Sequence, residues 1–402
     1  MKFGIVKERK NPPDKRVVFS PEALVKLKKQ FPIIDIEVES SDIRVFSDEE
    51  YAALGITVTN DISSCDVFFG VKEIPIDALI KNKKYFFFSH TIKQQAHNQK
   101  LLKAILEKNI ELFDHETIVD QNNNRLIGFG RYAGIVGAYN GLRAFGTKFE
   151  LFNIPKAHTL SGKDMLISKL KRQILPPIKI VLTGSGKVAS GAEEILNGMK
   201  IKQVSIDNFL QKKYSEAVYV QIDVLDYNKR TDGSKPDKLD FYKNPTNYTS
   251  DFERFTKVAD IFIAGHFYGN NAPIILSREM LLAKDCNLKV VADISCDVNG
   301  PIACTIRAST IENPFYGYYP VEDKEVDIFH PAAIVVMSVD NLPCELPKES
   351  SEGFGEMFLE HVIPAFFNGD KDGILKRSKM TEKGKLTAKF SYLQDYADAG
   401  KS

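Results

Sequence analysis

Two apolar runs in this sequence each close on a residue able to move a proton. DVFFGVKEIP (66–75) ends with Gly70 and Lys72, and KYFFFSHTIKQQ (84–95) ends with Ser89 and His90. Ligands of open α/β sheets collect outside the carboxyl ends of the strands, so a lysine and a histidine set there by consecutive strand–helix units can converge on one point. Taken singly, each is more often a structural residue at a strand end; two in succession are less easily set aside. A third group lies upstream, where Lys7, Arg9, Lys10, Lys15 and Arg16 crowd a short loop. Such a loop is commonly no more than a solvated basic surface. A guanidinium beside a strand end also offers a carboxylate a bidentate grip, which makes Arg16 a candidate for anion capture.

A different chemistry is written in KIVLTGSGKVASGAEEIL (179–196), an apolar run, a glycine turn and a helical pattern with Ala192, Ile195 and Leu196 on one face. Gly184 allows the turn, Gly186 lets the backbone approach a pyrophosphate, and the small Ala189 lets helix and strand pack closely. The free N–H groups of the helix then face the phosphates. The candidate cofactor-binding residues here are Gly184, Ser185, Gly186, Lys187 and Val188. KQVSID (202–207) reads as the second strand of this unit. Asp207 stands about 20 residues past the turn, where an acidic group would bind a ribose 2′-hydroxyl, although a plain strand-end aspartate fits the same pattern.

The elements that must position these groups alternate along the chain. MKFGIV is a strand, and Ser20 and Pro21 open a helix with Ala23, Leu24 and Leu27 on its buried side. IIDIEVES is the next strand; a helix over roughly 93–108 follows, then IELFDHE, a strand ending near Glu116. RLIGFGRYAGIVGAYNGLRAFG, rich in Gly and Ala, suits a close-packed helix. ADIFIAGHFY, LKVVADISCDVNGPI and the run beginning IVVMSV supply later strands, the second of them ending on Asp293 and Asp297. The polar stretch from Tyr227 to Tyr248 is a surface excursion or a mobile loop, and the tail after Asp370 is charged and helical at best.

Composition narrows the partners. The chain has 402 residues, 43% hydrophobic and 27% charged, as expected of a globular protein of two or three domains. Lys plus Arg number 54 against 53 acidic residues, so charge balance favours neither nucleic acid nor an anionic membrane, and the partner should be small. The five cysteines are scattered without metal-ligand spacing, which implies reduced thiols and no metal site. No apolar leader or long apolar span is present, so a cytoplasmic or equivalent reducing compartment is expected.

These motifs together resemble one family. GIVKERK, DKRVVFSP, GVKEIP, YFFFSHTIKQQ, VDQNNNRLIGFGRYAGIVG, VLTGSGKVASGAEEIL, ADISCDVNGPI, STIENPF and VDNLPCELPKESSEGFG are similar to the saccharopine dehydrogenase (lysine-forming) and alanine dehydrogenase group. The similarity is greatest to the lysine–2-oxoglutarate reductase half of the bifunctional enzyme of lysine breakdown. It implies an α/β fold of two Rossmann-like domains with the active site in the cleft between them. Residues 1–131 with 338–402 would form the substrate domain, and 132–337 the dinucleotide domain.

The resemblance also implies the reaction: lysine and 2-oxoglutarate condense, and a nicotinamide reduces the imine to saccharopine. The alternative is an alanine or other amino-acid dehydrogenase. Lys72 and His90 match the family's acid–base pair, and Arg16 and Arg125 its substrate-anion residues. Glu116 matches an acidic residue near those bases, and Asp297 and Asp340 match residues near the nicotinamide. Proton transfers of this kind suit groups brought towards neutrality, a histidine from about 6.5 and a lysine from about 10.4. The second catalytic domain of the bifunctional enzyme is not expected in this chain. For the cofactor, Asp207 argues for NAD(H). The resemblance argues for NADP(H), which Lys200, Lys202, Lys229 and Arg230 could help to hold, and NADP(H) is the expectation.

Overall fold

A computed structural model of the chain describes residues 1–269 and 271–399. The chain divides into two compact units, one of residues 1–129 with 347–402 and one of residues 130–346.

The first unit is built on a parallel sheet of β1 (Lys2–Ile5), β2 (Asp35–Glu39), β3 (Thr57–Thr59), β4 (Val67–Phe69), β5 (Lys84–Phe87) and β6 (Glu111–Asp114). Their order is β3-β2-β1-β4-β5-β6, with every neighbouring pair parallel. The order reverses between β1 and β4, which opens a crevice at their carboxyl ends. Val67, Phe68 and Phe69 are all buried, as a strand covered on both faces must be. The phenylalanines set the register: Phe69 stacks on Phe86 at 5.0 Å between ring centroids, and Phe86 on Phe113 at 4.5 Å. This ladder fixes β4, β5 and β6 against one another, so the residues that follow them emerge side by side. Helix α1 (Pro21–Gln30) starts as the sequence predicts, with the Ser20 hydroxyl accepting from Ala23 N–H and Ala23, Leu24 and Leu27 buried. Helices α2 (Asp48–Ala53) and α3 (Gln99–Glu107) complete the connections. In place of an all-helical tail the chain forms a hairpin, Thr381–Glu382 against Lys385–Leu386.

The second unit opens with α4 (Gly130–Lys148) and α5 (Lys163–Lys171), followed by β7 (Lys179–Thr183), α6 (Lys187–Gly198) and β8 (Lys202–Gln203). Next come α7 (Ile206–Gln211), β9 (Val218–Ile222), β10 (Asn228–Arg230), α8 (Lys238–Lys243) and β11 (Tyr248–Ser250). The later strands are β12 (Ile261–Ala264), β13 (Val290–Asp293), β14 (Phe315–Tyr319), β15 (Lys324–Val326) and β16 (Ile334–Met337). The main sheet runs β15-β14-β16-β13-β12-β7-β9-β8, with β14 and β15 antiparallel at one edge. Its order reverses between β7 and β12. Glycines let α4 cross α6 closely: a Cβ on Gly134 would meet Val188 O at 1.8 Å, and one on Gly191 would meet Arg131 O at 1.9 Å. The stretch 338–346 stays with this unit, where Asn140 Nδ2 donates to Glu345 Oε1 at 2.9 Å, so the return to the first unit falls at Pro347.

Two expectations change here. Residues 204–207 do not continue the strand. Only Lys202 and Gln203 pair, and the Ser205 hydroxyl caps α7 by accepting from Asn208 N–H, which puts Asp207 inside that helix's first turn. A serine followed by an aspartate is a better helix start than a strand end. The excursion is a surface one with elements of its own in place of a plain loop: β10 and β11 pair antiparallel, and Arg230 ties them to α8 through Asp240 and lies over the Tyr248 ring.

Candidate active site

In the first unit the carboxyl ends of the sheet carry a cluster of ionisable side chains. Glu8 follows β1, Lys72 and Glu73 follow β4, His90 follows β5 and Glu116 follows β6. The imidazole of His90 lies between two carboxylates, its Nε2 at 3.8 Å from Glu73 Oε1 and its Nδ1 at 3.5 Å from Glu116 Oε2. Glu116 also faces Lys93 Nζ at 3.6 Å and Arg125 Nη1 at 4.0 Å. Burial works to raise its carboxyl, but His90, Lys93 and Arg125 outweigh burial and hold it at about 2. Glu116 is therefore ionised throughout the neutral range.

The backbone under this cluster is held from within. His90 sits in the left-handed region at φ 55, unusual for a residue with a Cβ. Ser89, before it, donates its N–H to Asp114 Oδ2 at 2.8 Å and its hydroxyl to the same oxygen. The other oxygen of Asp114 accepts from Glu116 N–H at 2.7 Å. One fully buried carboxylate thus fixes the chain beside both His90 and Glu116. Neighbouring His115 is buried and donates from Nε2 to Gly70 O at 2.8 Å; burial drives its ring down to about 3 and keeps it neutral.

Lys72 is presented in a similar way. Glu8 accepts the Val71 N–H at 2.7 Å and the Lys72 N–H at 2.9 Å. Burial, and then the charge of Asp14, push the Glu8 carboxyl up to about 8. Arg16 is only 3% exposed and grips Asp14 with two bonds, Nε to Oδ1 at 3.0 Å and Nη2 to Oδ2 at 2.7 Å, with its guanidinium over the Phe129 ring at 4.3 Å. Arg125, in contrast, has a side chain 46% exposed. Lys93 is placed like Arg125, and sequence reading passed it over; its position three residues after His90 in the same loop was the available signal.

In the second unit the glycine turn follows β7. Gly184 has φ +97, and a Cβ there would meet Gly265 O at 2.6 Å. Gly186 precedes the first residue of α6 and has open space where a Cβ would stand, among the described residues. A glycine turn, an open glycine and a helix start fit a pyrophosphate. Ser185, Lys187 and Val188 belong to that turn and the start of that helix. Beside it His266 shares a 2.7 Å hydrogen bond with Thr183, and burial lowers its ring to about 4. Asp297 and Asp340 follow the paired strands β13 and β16; burial and then Asp293 push the thiol of Cys296 up to about 12, with Asp340 and Asp297 adding less. The described residues include no group of His, Cys, Asp or Glu that could hold a metal ion.

On the side of β7 away from β12 the neighbouring strand is β9, and the residue after it is Asp223. Asp207 is thus not at the position its reading required, and Asp223 is. The sequence signal was present in the apolar run AVYVQID.

The architecture agrees with known proteins. The description "Alanine dehydrogenase/PNT, N-terminal domain" matches residues 4–136, and "Alanine dehydrogenase/PNT, C-terminal domain" matches residues 157–390. The chain belongs to the alanine dehydrogenase/PNT family. That family is one of oxidoreductases. Among curated relatives, the chain is 28% identical to an alpha-aminoadipic semialdehyde synthase of Arabidopsis thaliana, over 97% of this chain and 41% of that protein. It is 30% identical to the mitochondrial enzyme of that name from Bos taurus, over 89% of this chain and 44% of that protein. The chain therefore spans less than half the length of these relatives. It is also 24% identical to a saccharopine dehydrogenase [NAD(+), L-lysine-forming] of Yarrowia lipolytica, over 82% of this chain and 83% of that one. An L-alanine dehydrogenase structure, 17% identical, has the same fold with a TM-score of 0.67, covering 99% of this chain and 100% of that one. No helix among the described residues is long and apolar enough to cross a membrane.

Proposed function

We propose that this alanine dehydrogenase/PNT family member is a lysine–2-oxoglutarate reductase, condensing lysine with 2-oxoglutarate and reducing the product to saccharopine with a nicotinamide dinucleotide. The observation that carries the reading is His90 between Glu73 and Glu116, with Lys93 and Arg125 beside it. Lys72 lies in the next strand-end loop.

The lysine ε-amine adds to the 2-oxo carbon, a carbinolamine forms, and water leaves to give an imine. Each step needs a proton delivered to or taken from a nitrogen or oxygen. Lys72 and His90 are the groups assigned to those transfers, typically worth about 10² to 10⁴ in rate. Glu73 and Glu116 flank the imidazole and orient it. Arg125, Lys93 and Arg16 hold substrate carboxylates, Arg16 steadied by its pairing with Asp14. When bound, the nicotinamide supplies the hydride that reduces the imine. Gly184 to Val188 hold its phosphates, and Asp297 and Asp340 flank the nicotinamide end.

Two considerations favour lysine and 2-oxoglutarate over alanine. Similarity to the aminoadipic semialdehyde synthases runs along nearly the whole chain. The site also gathers several cations, which suits 2-oxoglutarate, with two carboxylates, better than pyruvate, with one. The test is NAD(P)H oxidation by the purified chain with lysine plus 2-oxoglutarate against ammonia plus pyruvate. Turnover only with the second pair would transfer the assignment to alanine dehydrogenase.

A further inference from the structure

Glu345 has no part in the function so far, yet its side chain is only 2% exposed. It ends the turn Leu342–Glu345, which continues the loop that leaves β16 with Asp340. That loop lies on α4. A Cβ on Gly137 would meet Leu342 Cδ1 at 3.5 Å and Ile294 Cγ1 at 2.5 Å, so the segments that carry Asp340 and Asp297 rest on the same turn of the helix. Cys296 Sγ donates to Ser338 O at 2.8 Å and ties one segment to the other. One turn further along α4, Asn140 Nδ2 donates to Glu345 Oε1 at 2.9 Å. Asn140 is fully buried, so this bond is a polar pin beside an apolar contact.

The other half of the Asn140 amide bears on the state of this carboxyl. Asn140 Oδ1 is buried and receives no hydrogen bond among the described residues. An ionised Glu345 offers only acceptors and leaves that need unmet. A protonated Glu345 can donate its O–H, so that acid and amide pair through two bonds, each giving one hydrogen and taking one. The charged and titratable groups that face Glu345 leave it in this state. Arg143 of α4 donates from Nε to Ile154 O at 3.0 Å and lies over the Phe315 ring at 5.1 Å. Tyr139 of the same helix gives its hydroxyl to Pro155 O, and Lys156 pairs with Glu312 at 2.7 Å. His158 Nδ1 stands 3.7 Å from Glu345 Oε2, beyond a direct bond, with its Nε2 at 3.8 Å from Glu312. Burial pushes the Glu345 carboxyl up to about 7, against the weaker pull of Asn140, Arg143, the His158 N–H and Lys156.

We propose that Glu345 is a positioning residue that shares its proton with Asn140 Oδ1 and, in that form, pins the loop carrying Asp340 to α4. The inference rests on the dinucleotide-dependent reading above, in which Asp340 flanks the nicotinamide end. When Glu345 ionises, Asn140 Oδ1 loses its donor and the pin is reduced to a single bond. The loop then loosens from α4 and dinucleotide binding weakens as pH rises.

The test is binding of NADH and NADPH to the purified full chain across pH, followed by nicotinamide fluorescence without substrate, beside the thermal unfolding of each variant. The wild type should bind the preferred nucleotide about tenfold more weakly at about pH 9 than at about pH 6, as the loss of one buried hydrogen bond implies. Glu345→Gln gives Asn140 the same donor and acceptor with no proton to lose. It should match the wild type at about pH 6 within about threefold and keep that affinity at about pH 9. Glu345→Leu should bind about tenfold more weakly than the wild type at about pH 6. The folded chain holds a proton that the unfolded chain releases, so the wild-type melting temperature relative to Glu345→Gln should fall between about pH 4.5 and about pH 7 and run parallel outside that window. A folded Glu345→Gln that keeps the wild-type pH profile, or that binds as poorly as Glu345→Leu at about pH 6, would overturn the proposal while the dinucleotide reading stands. A melting difference that does not change with pH would overturn the shared proton. Binding of neither nucleotide by the wild type at millimolar concentration would overturn the dinucleotide reading, and the positioning role with it.

Discussion

Asp114 accepts the Ser89 N–H at 2.8 Å from the adjacent strand, and this bond anchors the loop in which His90 adopts its left-handed conformation. The same carboxylate takes Glu116 N–H, so the spacing of His90 and Glu116 depends on one buried group. Asp114→Asn replaces an acceptor by an amide whose N–H₂ faces donors. A lost buried acceptor costs about 1 to 3 kcal/mol. The variant should remain folded with a lower melting temperature, and kcat should fall about tenfold or more while KM for the oxo acid changes by less. An unchanged kcat in the folded variant would show that Asp114 supports the fold only.

Lys72→Met and His90→Gln test the proton transfers directly. Each should lower turnover by about 10² to 10⁴, with melting temperature close to wild type because both side chains lie at strand ends outside the core. Full activity in either folded variant would take that residue out of the mechanism.

The arginines should separate by measurement. Arg125 is half exposed, so Arg125→Ala should raise KM for 2-oxoglutarate with little effect on stability, and Lys93→Ala should do the same. Arg16 is buried against Asp14, whose carboxyl its charge holds at about 2 against the opposing effect of burial. Arg16→Ala leaves that charge buried and unpaired, at a cost of about 3 to 5 kcal/mol. Its thermal unfolding should therefore begin far below that of Arg125→Ala. Equal stability of the two variants would contradict the pairing.

Glu8 makes stability depend on pH. Burial and Asp14 raise its folded-state carboxyl from 4.5 to about 8, so the folded protein holds a proton that the unfolded chain releases. The stabilisation is fully present below about 4.5 and is lost as pH rises through about 8. Relative to Glu8→Gln, which cannot ionise there, the wild type should lose stability across that window and run parallel to the variant on either side. A constant difference from pH 4 to 9 would disprove the shift.

Two glycines should fail for opposite reasons. Gly134→Ala drives a Cβ into Val188 O, a backbone atom with no room to give, and should destabilise by about 3 kcal/mol or more. Gly186 has open space and no positive φ, so Gly186→Ala should fold normally. It should nonetheless weaken dinucleotide binding at least about tenfold, because the added methyl occupies the phosphate's path. Unimpaired binding would mean that the pyrophosphate does not cross this glycine.

What the sequence determined by itself was local. Apolar runs ending on Gly70, Ser89 or Gly184 read as strands meeting turns, and Ser20 with Pro21 read as a helix start, because periodicity, capping and glycine turns depend on neighbours within a few residues. The loop positions of Lys72 and His90 after their strands followed from the same patterns, and the family was visible in their order along the chain. Which strand lies beside which is set by hydrogen bonds between distant segments, and no local pattern contains it. Hence the residue beside the glycine turn was read as Asp207, while pairing of β7 with β9 makes it Asp223. Burial is equally non-local: Arg16 read as a cation in a basic loop, and only the folded unit buries it and pairs it with Asp14. Lys93 and Glu73 joined the cluster because three loops leave one sheet edge together, a coincidence in space that only the assembled sheet decides.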